Sequence, residues 1–144
     1  MASVREILSR KDSAVVTIAP SRSVTEAARL MNEHGIGGLV VREGDTVVGM
    51  FTERDILRRV VAAELDPAQV DVGTVMTTPV MSVRPDARLE ECAALVTEKR
   101  IRHIPVMDGA SLVGIVTSGD ILAFQVQEQR DTIKYLNSYV YDVR

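Results

Sequence analysis

The sequence predicts an α+β fold in which two tandem β-α-β-β-α repeats pack through their sheets into one pseudo-twofold module. The first observation behind this prediction is an internal repeat, because residues 17–57 align without a gap to residues 82–122, at a constant offset of 65. The second is that strand and helix patterns follow the same order in both copies. The third is size, since 144 residues with 46% hydrophobic side chains suit one domain with a sizeable core.

A short entry helix, a strand and a longer helix open the first repeat. The apolar side chains of residues 4–8 have the i, i+3, i+4 spacing of a helix, and the composition of residues 15–18 favours a strand. Ser23-Val24-Thr25-Glu26 predicts the start of the longer helix, because a serine cap and a glutamate three residues later form a capping box. Gly35 predicts its end, since glycine accepts a left-handed conformation there.

A hairpin and a closing helix complete the first repeat. Strands are expected at residues 39–41 and 47–51, joined by a turn at Glu43-Gly44-Asp45, because glycine tolerates a positive φ. Thr52 then begins the closing helix. The apolar residues of this helix that we expect to face inward are Ile56, Leu57, Val60 and Val61.

The second repeat follows the same plan. Residues 72–76 have the spacing of the entry helix, residues 80–83 predict a strand, and residues 103–107 and 112–116 predict the hairpin. The apolar stripe of the helix between them consists of Leu89, Cys92, Ala93 and Val96. The closing helix begins at Thr117.

The repeat divides the chain into three parts. These are residues 1–65, the first repeat with its entry helix, residues 66–125, the second repeat, and residues 126–144, a tail. In the tail, Ile133, Leu136 and Val140 are spaced i, i+3, i+7, which predicts one amphipathic helix. The tyrosines beside this stripe are Tyr135, Tyr139 and Tyr141. We expect the tail to cover its own domain rather than to bind a partner.

Composition excludes several classes of function. No apolar run reaches the roughly 18 residues of a membrane span, and no N-terminal run resembles a signal peptide, so we expect a cytoplasmic protein without a membrane partner. The net charge of −3 and the aromatic content of 3% give no reason to expect nucleic acid. His34 and His103 do not align with each other, and the one cysteine, Cys92, lies on a buried stripe, so we expect neither a disulfide nor a metal site.

One motif occurs in both repeats, as glycine, two apolar residues, threonine, two residues and aspartate. The first copy is residues 49–55, with Thr52 and Asp55. The second copy is residues 114–120, with Thr117 and Asp120. A structural interpretation is sufficient for either copy alone, because threonine and aspartate make a good helix start. The duplication in register favours a site, since a helix N-terminus attracts phosphate and a carboxylate beside it can accept both hydroxyls of a ribose. The pattern therefore suits a nucleotide.

These motifs, together with Arg102-His103-Ile104-Pro105-Val106, resemble the CBS domain (cystathionine-β-synthase domain) family. The resemblance covers about residues 4–125. Over this range the chain resembles a tandem pair of such domains that forms a stand-alone bacterial-type module. It implies that adenosine-containing ligands bind in two clefts between the repeats. It also implies that two modules meet face to face as a homodimer.

Each cleft in the family combines the Thr-x-x-Asp segment of one repeat with the first strand and the apolar-proline segment of the other. The resemblance thus implies a first cleft at Thr52, Arg54, Asp55, Thr78, Met81, Val83, Arg102, His103, Ile104 and Pro105. It implies a second cleft at Ile18, Gly38, Leu39, Thr117, Ser118 and Asp120. Gly37-Gly38 replaces Arg102-His103 in the first repeat, so we expect the clefts to differ in phosphate affinity. The glycine-lined second cleft is the less certain site and could instead admit a bulkier ligand. Pro105 lacks a backbone donor and also fits a sheet edge.

We therefore expect a regulatory module that senses adenine nucleotides and signals to an unidentified regulated protein. AMP, ADP or ATP rank first as ligands, and NAD(H) and S-adenosylmethionine are alternatives. No catalytic cofactor and no enzymatic activity are expected, because each cleft supplies one certain acid and no evident nucleophile. Two alternatives remain open, namely an interaction module with a vestigial cleft and a nucleotide-modifying enzyme.

Overall fold

Two hydrophobic cores, one in each repeat, organise the computed structural model, which describes residues 2–11 and 14–142. In the first repeat the elements are α1 (Val4–Ser9), β1 (Thr17–Ile18), α2 (Val24–His34), β2 (Gly38–Glu43), β3 (Thr46–Thr52) and α3 (Glu53–Asp55), which continues as a π-helical segment (Ile56–Val61). In the second repeat they are α4 (Val72–Val75), α5 (Leu89–Glu98), β4 (His103–Asp108), β5 (Ser111–Thr117) and α6 (Ser118–Asp142). Two small sheets with helices confirm the expected fold class.

The sheets of the two repeats differ in their first strand. In the first repeat, β1 pairs in parallel with β2, and β2 pairs antiparallel with β3. In the second repeat, β4 and β5 form the same hairpin, but the expected strand at residues 80–83 is reduced to one parallel bridge between Val83 and Val106. Both hairpins turn at a glycine with positive φ, Gly44 at 60° and Gly109 at 60°.

Pro105 explains the shortened strand. In the first repeat, the N–H of Val40 donates to the carbonyl of Val16 at 3.4 Å, and Pro105 is the residue equivalent to Val40. A proline has no N–H to donate, so this bond is lost. The carbonyl of Pro105 still accepts from the N–H of Val83 at 3.0 Å. The expectation of a sheet edge is met in that β4 belongs to a two-stranded sheet, but Pro105 is buried and the segment at Val83 lies beside it.

Helix α2 forms as expected from its capping residues. The hydroxyl of Ser23 accepts from the N–H of Glu26 at 3.1 Å, and Gly35 ends the helix at φ 61°. The carboxylate of Glu26 pairs with Arg22 at 3.2 Å instead of returning to the cap. Only half of the predicted capping box is therefore present.

The entry helices are exchanged between the two cores. Val4 and Ile7 of α1 are 0% and 3% exposed and pack in the core of the second repeat. Val72 and Val75 of α4 are 0% and 7% exposed and pack in the core of the first repeat. Neither core is complete without a helix that adjoins the other repeat in the sequence, so the two repeats cannot separate without exposing apolar surface.

The glycine of the repeated motif makes room for these helices. A Cβ atom on Gly49 would lie 2.5 Å from Sδ of Met76, and a Cβ atom on Gly114 would lie 2.7 Å from Cδ2 of Leu8. Met76 follows α4 and Leu8 belongs to α1. The glycine that begins each motif is thus required for the close approach of an entry helix.

The closing helix of the first repeat does not bury all four of the residues we expected. Val60 is 0% exposed, whereas Leu57 and Val61 are each 61% exposed. Leu57 and Val61 are one turn apart and share the outer face. The equivalent residues of α6, Leu122 and Val126, are also exposed, at 62% and 37%.

The predicted helix of the tail is present, as the continuation of α6 to Asp142. It does not cover its own domain, because every side chain from residue 125 to residue 139 is exposed. Ile133 is 58% exposed and Leu136 is 52% exposed. The side chains of Val140 and Tyr141 lie outside the described residues.

Replacing Ile7 with alanine tests the exchange of entry helices. Ile7→Ala should lower the free energy of unfolding by about 2–5 kcal/mol in urea denaturation, because it leaves a cavity in the second core. Ile36→Ala is the matched control, since Ile36 is 37% exposed and surface substitutions usually stay within about 0.5 kcal/mol. Equal losses in the two variants would show that α1 does not complete this core.

Candidate functional site

Both Thr-x-x-Asp segments form reciprocal helix caps. In the first repeat, the N–H of Thr52 donates to Oδ2 of Asp55 at 3.0 Å, and the N–H of Asp55 donates to Oγ1 of Thr52 at 3.4 Å. In the second repeat, the corresponding distances between Thr117 and Asp120 are 2.9 Å and 3.1 Å. The structural interpretation of the motif is therefore confirmed for both copies. Any ligand must bind to a helix start that is already capped.

Asp55 is buried, at 6% exposure, and both of its carboxylate oxygens are engaged. In addition to the cap, the hydroxyl of Thr77 donates to Oδ1 of Asp55 at 2.8 Å, and Nε of Arg59 lies 3.8 Å from the same oxygen. Thr77 and Arg59 were not among the residues expected from the sequence, which gave Thr78 instead. Thr78 is exposed.

Asp120 has a different partner and is more accessible. Nζ of Lys11 lies 2.7 Å from Oδ2 of Asp120 and also donates to the carbonyl of Ile115 at 2.9 Å. The side chains of Lys11 and Asp120 are 20% and 22% exposed. Among the described residues, no donor reaches Oδ1 of Asp120. Lys11 could not be found from the repeat, because it precedes the aligned residues 17–57.

Gly38 and His103 are equivalent in the two repeats and meet near the pseudo-twofold axis. A Cβ atom on Gly38 would lie 2.9 Å from Cδ2 of His103. The strands that carry them are tied to the helix starts in the same way, since the N–H of Glu53 donates to Gly37 and the N–H of Ser118 donates to Arg102, both at 3.0 Å. The glycine that interrupts the repeat therefore accommodates the imidazole ring of the other copy.

His103 lies between charged groups of both repeats. Burial lowers the pKa of its imidazole below the ordinary value of 6.5, the negative charges of Glu53 and Asp120 oppose this, and the positive charges of Arg102 and Lys11 add to it. His103 is therefore neutral at pH 7. The permanent positive charge of the Arg102-His103 pair is therefore that of Arg102 alone.

The remaining expected residues divide by burial. Those that belong to the hydrophobic interior are Ile18, Leu39, Val83, Ile104 and Pro105. Those that are half-buried at or beside the helix starts are Thr52, Arg54, Thr117 and Ser118. Met81 is 43% exposed and Arg102 is exposed as well. Polar groups able to meet a ligand are thus concentrated at the two helix starts.

An open groove of about 450 Å³ lies beside β1 and α2. Its lining residues are Thr17, Ile18, Ala19, Arg22, Glu26, Arg29, Leu30 and Glu33. It shares only Ile18 with the expected clefts and does not contain either motif aspartate. We therefore place the candidate site at the helix starts, where the motif and its polar groups are.

The described residues contain neither a candidate metal centre nor a candidate membrane-spanning helix. Within residues 2–11 and 14–142, no group of three or more histidine, cysteine, aspartate and glutamate side chains could hold a metal ion. None of the described helices is long and apolar enough to cross a membrane. Cys92 is buried, and its burial raises the pKa of the thiol.

Known proteins are similar to this chain over most of its length. A family model described as the CBS domain matches residues 4–62 and 72–127. The CBS domain-containing protein YhcV of Bacillus subtilis (strain 168) is 36% identical over 129 residues, which are 90% of this chain and 89% of that protein.

Solved structures share the fold. A protein with CBS domains from Burkholderia ambifaria MC40-6 superimposes with a TM-score of 0.86 at 38% identity, over 89% of this chain and 96% of that one. CBSX2, solved in complex with AMP, superimposes with a TM-score of 0.72 at 29% identity, over 90% of this chain and 99% of that one.

The lowered pKa of His103 predicts an acid-sensitive fold. Because the unfolded chain binds this proton more readily, the free energy of unfolding should fall as the pH drops below 6.5 and continue to fall until the folded imidazole is protonated. His103→Gln should flatten this dependence in urea denaturation between pH 7.5 and pH 5.5. His34→Gln, at an exposed position, should keep the wild-type slope. Identical slopes in the His103 variant and the wild type would contradict the buried neutral imidazole.

Proposed function

The chain belongs to the CBS domain family, and we propose that this regulatory module binds an adenosine-containing nucleotide between its two repeats. The observation that carries the proposal is the helix start at Asp120, where a partly exposed carboxylate has one oxygen without a donor from the described residues. The complex of CBSX2 with AMP supports AMP as the first ligand to test. ADP, ATP, NAD(H) and S-adenosylmethionine carry the same adenosine group and remain alternatives.

The second cleft has the chemistry that a ribose phosphate requires. Oδ1 of Asp120 can accept from the ribose hydroxyls. The half-buried hydroxyl of Ser118 and the N-terminus of the 25-residue helix α6 favour a phosphate. Lys11 is held close by its bonds to Asp120 and Ile115, and its ammonium group adds a positive charge beside the same position.

We expect the first cleft to bind the nucleotide more weakly than the second cleft. Both oxygens of Asp55 are occupied by Thr52 and Thr77, and its side chain is buried. A ribose would have to displace the hydroxyl of Thr77 or share an oxygen with it, which weakens binding. The proposed order of affinity thus favours the glycine-lined second cleft, which was the less certain site from the sequence alone.

A regulatory rather than a catalytic role fits the same geometry. The motif carboxylate of each helix start, Asp55 or Asp120, already serves as a cap. Among the described residues, Asp55 is held by Thr52, Thr77 and Arg59, and Asp120 forms an ion pair with Lys11, so neither carboxylate is presented as the free base of a general acid–base pair. The ligand would act by stabilising one arrangement of the two repeats and so change the surface offered to an unidentified regulated protein.

A homodimer would cover the apolar side chains that the fold leaves outside. Leu57 and Val61 in the first repeat and their equivalents Leu122 and Val126 in the second are exposed in the same positions of the two closing helices. Repeated apolar pairs of this kind are typical of a contact surface. Closed twofold symmetry is the commonest way to bury such a surface in a second copy.

Substituting each aspartate with asparagine tests which cleft binds. Asp120→Asn should remove most of the rise in Tm produced by AMP, because the single amide oxygen is needed by Lys11 and the N–H of Thr117, which leaves an NH2 donor facing the ribose hydroxyls. For the wild type, a ligand at 100 times its Kd adds about 2.7 kcal/mol of stability. Asp55→Asn should lower the Tm without ligand, since it weakens a buried bond to Thr77, but keep most of the AMP shift. An AMP shift unchanged in both variants would exclude these carboxylates as the ribose site.

Lys11 gives a second, independent test, directed at the phosphate. Lys11→Met should reduce the affinity for AMP relative to adenosine by about tenfold, which corresponds to about 1.4 kcal/mol, since only AMP brings negative charge to this ammonium group. Lys99→Met, at the exposed end of α5, is the control and should leave the ratio unchanged. Calorimetric titration measures both ligands. The same ratio in all three proteins would rule out a phosphate contact by Lys11.

A further inference from the structure

Helix α6 carries an exposed apolar stripe with heptad spacing between residues 122 and 140. The steps between its positions alternate strictly between four and three residues. These positions are Leu122, Val126, Gln129, Ile133, Leu136 and Val140. Of the five whose exposure is described, four are apolar and between 37% and 62% exposed, and Gln129 is also exposed. We propose that this stripe forms a parallel two-stranded coiled coil with α6 of a second copy of the chain.

The stripe does not belong to the core of its own repeat. Helix α6 packs on the body through Ile121 and Phe124, each 5% exposed. The next two positions on that same face are Glu128 and Asp131, which are charged and exposed. The face that packs on the body therefore ends at Phe124. The heptad stripe lies on the opposite side of the helix and continues beyond it, so a partner can bind without detaching α6.

The residue types identify the partner as an identical helix. Val126, Ile133 and Val140 occupy the a positions of the heptad and are all β-branched. Leu122 and Leu136 occupy d positions. A β-branched residue at a with leucine at d favours two parallel strands. Gln129, at the remaining d position, would face its own copy, and its amide can both donate to and accept from the partner amide.

The flanking positions favour the parallel orientation. In a parallel pair, Gln125 and Thr132 at the g positions would lie beside Arg130 and Asn137 of the second copy, without any contact between like charges. An antiparallel pair with the same overlap would place Arg130 beside Arg130 of the other copy, which is unfavourable. The charged residues Glu128, Asp131 and Lys134 occupy outer positions of the heptad and stay in solvent in either arrangement.

The stripe is short, so the coiled coil depends on a dimer formed by the repeats of the two chains. The stripe covers 19 residues, from 122 to 140, which is about 28 Å of helix and too short to be stable alone. A dimer of the bodies would raise the effective concentration of the two helices, so the inference rests on the proposed homodimer. Leu122 and Val126 belong both to that dimer surface and to the stripe. The family match ends at residue 127, so most of the stripe lies outside it.

Cysteine cross-linking tests the register and orientation. Gln129→Cys should form a covalent dimer under mild oxidation, because the two d positions of a parallel coil bring their Cβ atoms close to disulfide distance. Glu128→Cys, on the outer face, is the matched control and should remain uncross-linked. The wild type is the control for cross-linking through Cys92, which is buried. Equal cross-linking of both variants, or of neither, would overturn the parallel coil.

A second pair of variants tests the contribution of the stripe to association. Ile133→Asp should raise the Kd of the dimer at least tenfold in analytical ultracentrifugation, whereas Lys134→Asp on the outer face should not. An unchanged Kd for Ile133→Asp would overturn the proposal. The rise in Tm with AMP is measured on the same samples and should persist in both variants. If AMP does not raise the Tm of the wild type, nucleotide binding is contradicted. The cross-linking result still tests the coiled coil independently.

Discussion

The docking of each entry helix against the opposite repeat is the constraint on which the rest of the structure depends. Gly49 and Gly114 leave room for Met76 and Leu8, so α4 completes the first core and α1 completes the second. The chain that leaves each entry helix then reaches a motif aspartate. Thr77 follows α4 and binds Asp55, whereas Lys11 follows α1 and binds Asp120. The glycine and the aspartate of one motif therefore receive the same entry segment, which links the packing of the cores to the candidate sites.

The two sites differ because the entry segments differ. A neutral hydroxyl closes the site at Asp55, while an ammonium group approaches Asp120 and leaves one oxygen without a described donor. Near the pseudo-twofold axis, His103 packs against Gly38, so a symmetric repeat becomes an asymmetric module at the level of side chains. Asymmetry of this kind would allow one cleft to bind ligand while the other maintains the structure.

Much of the fold could be predicted from the sequence, because it depends on local signals and on the repeat. The caps at Ser23 and Gly35, both hairpins and the helix of the tail are set by residues close in the chain. The Lys11–Asp120 ion pair joins residues 109 positions apart. The exchange of entry helices brings Met76 to Gly49 and Leu8 to Gly114, and no local pattern reveals either arrangement. The missing donor of Pro105 predicted a sheet edge, which the two-stranded sheet has, whereas its burial beside the segment at Val83 depends on the tertiary structure.

We propose that an adenosine-containing ligand binds between the repeats, first at Asp120 and only then at Asp55. Native mass spectrometry during titration with AMP tests this most directly, since it counts the ligands on each chain. The adduct with one AMP per chain should be fully formed before the adduct with two AMP molecules appears. Absence of any adduct at millimolar AMP, ADP, ATP and NAD⁺ would contradict nucleotide binding. Simultaneous filling of two equal sites would contradict the asymmetry.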